Sequence, residues 1–158
     1  MNEKNIRFFK LLRDFLTVYL GDQKAVSPNT VKSYRESLNL LLNYICERNG
    51  ISLRKLSIEY FTRETTEGFL DYLEKTRQCG ISTRNQRLAC IRSFIKYAGS
   101  RDVGLQAYVN ELSNIPAKKK TKASFPSYFS EAALKTILEQ PDTRKKRTER
   151  PVFHDPDV

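Results

Sequence analysis

The sequence predicts an all-α protein, a bundle of four to five helices followed by a basic linker and one further helix. Three observations lead there. Apolar residues recur at steps of three and four along successive segments, the period of a helix with one buried side. Glycine and proline number only 6 each, too little turn punctuation for a many-stranded fold. Hydrophobic residues make up 39%, with 9 Phe and 8 Tyr, enough for a packed core and too much for a disordered chain.

The first helix is predicted over residues 5–20, where Phe8, Leu12, Phe15 and Tyr19 form one apolar stripe and Gly21 stops it. The second opens at Ser27, a good N-cap, with Pro28 at the first helical position, where a missing N–H costs nothing. Val31, Tyr34, Leu38, Leu41, Leu42 and Ile45 supply its buried side, Lys32, Arg35, Glu36 and Asn39 its wet side, and Asn49-Gly50 its end. A connector with Ile51, Leu53, Leu56, Ile58 and Phe61 leads to a third helix capped by Thr62 and running to about Arg77. That helix carries Glu64, Glu67, Asp71 and Glu74 against Arg63 and Lys75, so it is expected to face away from any polyanion. A fourth helix is predicted from Ser82, as cap, to near Gly99, and a short fifth over 103–113, ended by Ile115-Pro116. Phe129-Ser130 opens one more helix, closed before Pro141, and from Thr143 onward periodicity is lost. The resulting division is a helical domain at 5–114, a basic linker at 115–128, and a final piece at 129–158.

The net charge is +10, which suits a polyanionic partner. Nucleic acid, an anionic membrane surface and plain solubility all fit that number. No stretch approaches the ~18 apolar residues of a membrane span. The opening MNEKNIRFF lacks the apolar core of a signal peptide, so the expected location is cytoplasmic. Cys46, Cys79 and Cys90 form no CxxC, and the single histidine, His154, lies in the unpatterned tail. A zinc or disulfide site is not expected; Cys46 and Cys90 read as small residues at the edge of the core.

The charge is not spread evenly. From Ile81 to Arg101 the chain carries Arg84, Arg87, Arg92, Lys96 and Arg101 and no acid. At roughly 100° per residue, Leu88, Ile91, Phe94, Ile95 and Ala98 share one side, with Asn85, Arg92 and Lys96 on a polar edge beside it. Arg84 and Arg87 align with the apolar side in the first turns and are expected to project past the rim of the core. A helix start bearing Ser82, Thr83, Arg84 and Asn85 offers N–H groups and a positive dipole to a phosphate, and Arg and Asn can contact base edges. The second helix opens in a similar way, with Asn29, Thr30, Lys32, Ser33 and Arg35. A solvated basic face with ordinary capping chemistry remains an alternative for each start; two such starts together could straddle a groove. Lys118, Lys119, Lys120 and Lys122 stand in the linker, either along a DNA backbone or simply in water. No GxSxG, P-loop, HExxH or GxGxxG motif is present, and most tyrosines fall at core spacing, so the sequence offers no catalytic set and no cofactor site.

Three segments carry a family resemblance. Ser27-Pro28-Asn29-Thr30-Val31-Lys32-Ser33-Tyr34, Ser82-Thr83-Arg84-Asn85-Gln86-Arg87-Leu88 with its continuation Ile91 to Ala98, and Tyr128-Phe129-Ser130-Glu131-Ala132-Ala133-Leu134 up to Pro141-Asp142 resemble, in that order, parts of the tyrosine recombinases of phage-integrase type. The first two are similar to the second and fourth helices of the SAM-like core-binding domain, the third to the opening of the catalytic domain. Together they span roughly residues 5 to 142.

The resemblance implies a helical bundle that clamps one side of a recombination half-site. The starts of its second and fourth helices would meet double-stranded DNA at Thr30, Lys32, Ser33, Ser82, Thr83, Arg84 and Arg87, and the linker lysines would cross the duplex. It also implies contact with other protomers in a synaptic assembly. The family's catalytic arginines, lysine, histidine box and tyrosine nucleophile have no counterpart before Val158. The expectation is therefore a truncated or frameshifted product, or a fragment, that does not cleave DNA alone. The alternative is a helical protein–protein interaction module, with Leu134, Ile137 and Leu138 left uncovered.

Overall fold

Among the residues described by the computed structural model, 1–119, the chain folds into α-helices α1 (Glu3–Asp14), α2 (Pro28–Asn49), α3 (Arg63–Lys75), α4 (Ile81–Arg101) and α5 (Gln106–Ser113), with no strand. A π-helical segment, Phe15–Gln23, continues α1, and short 3-10 turns lie at Leu53–Lys55, Ile58–Tyr60 and Val103–Leu105. The all-α class predicted from periodicity is the observed one. The helix expected at 129–140, the tail, and Lys120 and Lys122 lie outside the described residues.

Local chemistry explains most boundaries. The Ser27 side chain accepts from the Thr30 N–H, and Pro28 occupies the first turn. Gly50 closes α2 at φ 61, the left-handed conformation that glycine adopts without a Cβ penalty. Thr62 accepts from the Thr65 N–H and starts α3.

Two boundaries differ from the sequence reading. Gly21 does not stop the first helix. The helix widens at Phe15 into π geometry and ends only where the Lys24 N–H donates to the Tyr19 carbonyl at 2.8 Å. The reversal is then made by Ala25 at φ 49. Because π turns bond residue i to i+5, side chains five apart come to one side, and Phe15 and Leu20 are both buried. Ser82 is not the cap of α4. Gly80 holds that position and supplies no side-chain hydrogen bond.

The core is built around Phe94 of α4. Its ring lies 5.5 Å from Phe15, 5.7 Å from Phe61 and 6.1 Å from Phe8, in tilted or edge-on arrangements that aromatic rings favour. Leu41, Ile45, Phe69, Leu73, Leu88 and Ile91 complete it from α2, α3 and α4. Asn5 is buried and donates to the Leu53 and Leu56 carbonyls at 2.9 and 2.7 Å, which ties α1 to the connector. Gly99 lets α5 approach α4: a Cβ there would sit 2.5 Å from Val109 Cγ2.

Candidate nucleic-acid interface

The starts of α2 and α4 lie side by side. Gln86 Nε2 donates to Ser33 Oγ at 2.8 Å, and Arg87 Nη1 donates to Ser37 Oγ at 2.7 Å and the Ser33 carbonyl at 3.5 Å. Ser37, buried, donates in turn to the Ser33 carbonyl. The two polar helix openings singled out in the sequence therefore form one continuous surface.

On that surface Asn29, Thr30, Lys32 and Arg35 of α2 are exposed, as are Ser82 and Gln86 of α4, and Ser33 and Thr83 are half-buried; Lys96, about four turns further along α4, is also exposed. Among the described residues, Lys32, Arg35 and Lys96 take part in no ion pair. With no side chain on its cap and no acid in its first turn, α4 also leaves its leading N–H groups without a capping side chain and the positive end of its dipole without a local counter-charge.

The arginines behave differently from the expectation that they project past the core. Arg84 is buried, with 7% of its surface exposed. Its guanidinium lies 3.5 Å from Glu74 and donates to Asn85 Oδ1 at 3.1 Å and to the Pro116 carbonyl at 3.5 Å. Burial of an arginine in such a small domain requires a charge partner and hydrogen-bond acceptors, and α3, Asn85 and the chain after α5 provide them. Arg87 is half-buried against α2 as above. Arg92 donates to the Leu112 and Ser113 carbonyls, capping the end of α5. Desolvation, with Arg84 nearby, depresses its pKa from the usual arginine value.

Asn85 and Lys118 also turn inward to one another. Asn85 Nδ2 donates to the Lys118 carbonyl at 2.7 Å, and the Lys118 N–H donates to Asn85 Oδ1 at 3.0 Å. Lys118 Nζ reaches Glu74 at 2.6 Å, and this ammonium holds the Glu74 carboxyl below its ordinary value. The acidic third helix thus does not turn wholly away from the basic cluster; Glu74 sits within it. Lys119 is exposed. Sequence reasoning missed Glu74, Gln86 and Ser37. Gln86 could have been found, because it stands one helical turn after Ser82.

Cys46, Cys79 and Cys90 are free thiols, and burial raises the pKa of Cys46 and Cys90. No group of three or more potential metal-ligating side chains occurs among the described residues. No described helix is long and apolar enough to cross a membrane.

The fold and this surface together define a SAM-like helical bundle with one acid-poor, basic face. Residues 13–102 match the family described as phage integrase, N-terminal SAM-like domain, and the chain belongs to that family. It is 30% identical over 140 residues to the integrase/recombinase y4rD of Sinorhizobium fredii, covering 89% of this chain and 50% of that protein. It is likewise 30% identical over 132 residues to the tyrosine recombinase XerC of Herpetosiphon aurantiacus, covering 84% of this chain and 40% of that protein. The chain thus spans about half the length or less of these relatives. No solved structure gives a significant match.

Proposed function

We propose that the bundle binds double-stranded DNA through the joined starts of α2 and α4, as the DNA-holding part of a site-specific recombinase or integrase. The observation that carries this reading is the acid-free run of α4 beside the acid-free first turns of α2, with Lys32, Arg35 and Lys96 exposed and in no ion pair among the described residues. Asn29, Thr30, Lys32, Ser33, Arg35, Ser82, Thr83, Gln86 and Lys96 form the contacting surface. Arg84, Asn85, Arg87 and Arg92 act chiefly by holding that surface and the chain leaving it in place. Lys119, with Lys120 and Lys122 beyond the described residues, extends the contact along the phosphate backbone. Such contacts give affinity and register without reading bases; Asn29, Ser82, Thr83 and Gln86 are the groups able to read base edges. In this reading, strand cleavage and joining require the catalytic groups of a further domain.

A titration of the chain on a duplex by fluorescence anisotropy at several salt concentrations tests it. With about five phosphates neutralised, the log–log slope is expected near −4 to −5 at ~0.9 per phosphate. Affinity that ignores salt, or no binding at low salt, rejects the reading.

A second surface favours contact with another protein chain. Ile6 is 56% exposed on the outer side of α1, beside the half-buried Phe9. In a recombinase this face would meet a neighbouring protomer. Size-exclusion chromatography over a range of concentrations, with and without DNA, tests it: a particle that stays monomeric throughout removes the role.

A further inference from the structure

Outside the two helix starts, the π-helical segment, the reversal after it, α2 and α4 meet around a hollow of about 260 Å³. That is several times the ~30 Å³ share of one water molecule. Tyr19, Lys24, Tyr34, Ser93, Lys96 and Ser100 line it, and no carboxylate does. Lys24 Nζ stands 5.3 Å from the centre of the Tyr19 ring, which holds the ammonium over the hollow. Neither Lys24 nor Lys96 joins an ion pair among the described residues. The Tyr34 hydroxyl donates to Ser93 Oγ at 3.5 Å, so the Ser93 hydroxyl hydrogen is left to donate elsewhere.

We propose that this hollow is a subsite for one phosphodiester group of the DNA backbone. The proposal rests on the DNA reading above and extends it beyond the residues that the sequence singles out. Two ammonium-bearing side chains line it, Lys24 from the end of the π-helical segment and Lys96 from α4, and the Ser93 hydroxyl adds a neutral donor. The chemistry fits a small, singly charged, oxygen-rich anion. Lys24 lies three residues before the Ser27 cap of α2, so the hollow and the start of α2 are close in the chain. The π geometry contributes directly: it carries Tyr19 and Leu20 to this side and delays the reversal until Lys24 lies beside them.

The test is a double-mutant cycle on the full chain, read by anisotropy on a duplex across salt concentrations, with circular dichroism to establish folding. Lys24→Gln and Lys96→Gln are each expected to weaken binding several-fold. Because both lysines hold one phosphate, the double variant is expected to lose about 0.9 of salt slope, not twice that, and the two affinity losses should fall short of their sum. Ser93→Ala should weaken binding two- to five-fold with the slope unchanged. Folded variants that bind like the unaltered chain would overturn the subsite and remove Lys96 from the contacting surface, while leaving the DNA reading at the starts of α2 and α4 intact. Losses that simply add, with about 1.8 of slope gone, would also overturn it, since two separate phosphates would then be involved. Failure of the unaltered chain to bind any duplex would overturn both.

Discussion

Two sets of cations share the neighbourhood of α4, and they are used in opposite ways. Arg84, Arg87 and Arg92 are turned on the protein: Arg84 pairs with Glu74 and donates to Asn85 and Pro116, Arg87 donates to Ser33 and Ser37, and Arg92 to Leu112 and Ser113. Lys32, Arg35 and Lys96 stand in solvent and pair with nothing among the described residues. In the sequence the two sets are hard to separate, since all six cations lie in acid-free runs and Arg92 and Lys96 share one polar edge. The difference is one of place. Arg84, Arg87 and Arg92 stand where another part of the chain brings carbonyls and hydroxyls within reach of a guanidinium's several donors; Lys32, Arg35 and Lys96 do not. Net charge therefore overstates the surface available to a polyanion.

The sharpest way to break this comparison is Arg84→Ala. Loss of a buried, paired guanidinium is expected to cost ~2–4 kcal/mol of stability, measured by urea unfolding. A variant that keeps full stability but no longer binds DNA would move Arg84 into the contacting set. Gly99→Ala probes the other end of α4, where it meets α5, without charge. Its Cβ would meet Val109 at 2.5 Å, and overpacking of this kind costs ~1–3 kcal/mol. Gly68→Ala, whose Cβ meets only the far ends of Arg48 and Tyr44, should cost less by the same measurement.

The exposed set should show the reverse pattern. Lys32→Ala with Arg35→Ala is expected to leave stability within about 0.5 kcal/mol. The same pair should lower the salt slope of DNA binding by about 1.8. Arg54→Ala with Lys55→Ala, on the connector, provides the control; equal losses from both pairs would reduce the interface to unspecific charge.

Glu74 ties the buried set to the chain leaving the bundle, and it does so through pH. Its carboxyl titrates below the ordinary value of 4.5 because Lys118 bonds to it. Its contribution to stability is thus complete above that value and lost as pH falls through the lowered pKa. The protection of the Lys118 amide, relative to a free amide at the same pH, should fall on acidification through this window and be lowered at all pH values in Glu74→Gln. The smallest effect is expected from Ala25→Gly. It relieves the positive φ of 49° at the reversal and should raise stability by roughly 0.5 kcal/mol. No gain on thermal unfolding would show that the unfolded chain's added freedom offsets the relief.

What could be read from the sequence follows the range of the forces involved. The Ser27-Pro28 and Thr62 starts and the Gly50 stop are local hydrogen-bond chemistry, and they stand where the sequence puts them. The adjacency of the two polar helix starts was proposed from their similarity and is realised through Ser33 and Gln86. The π widening at Phe15 was not legible, because placing both Phe15 and Leu20 in the core depends on the packing of α2 and α4. The burial of Arg84 was equally hidden: Glu74 is ten residues away on another helix, and Pro116 is 32 residues along the chain. Helical periodicity orders residues around one axis; it carries no record of what a second helix brings to that axis.

The pairing of Asn85 with Lys118 has a consequence for how the chain can be altered. At residue 118 the side-chain amide engages only the backbone N–H and C=O, groups that every residue except proline possesses. The exit from the bundle is thus splinted by a contact blind to which side chain follows. Segments of quite different composition could be spliced on at this seam and inherit the same departure angle, provided no proline falls at 118. Position 85 tolerates far less: an aspartate there could accept the N–H but offer nothing to the carbonyl, and the splint would hold by one side only.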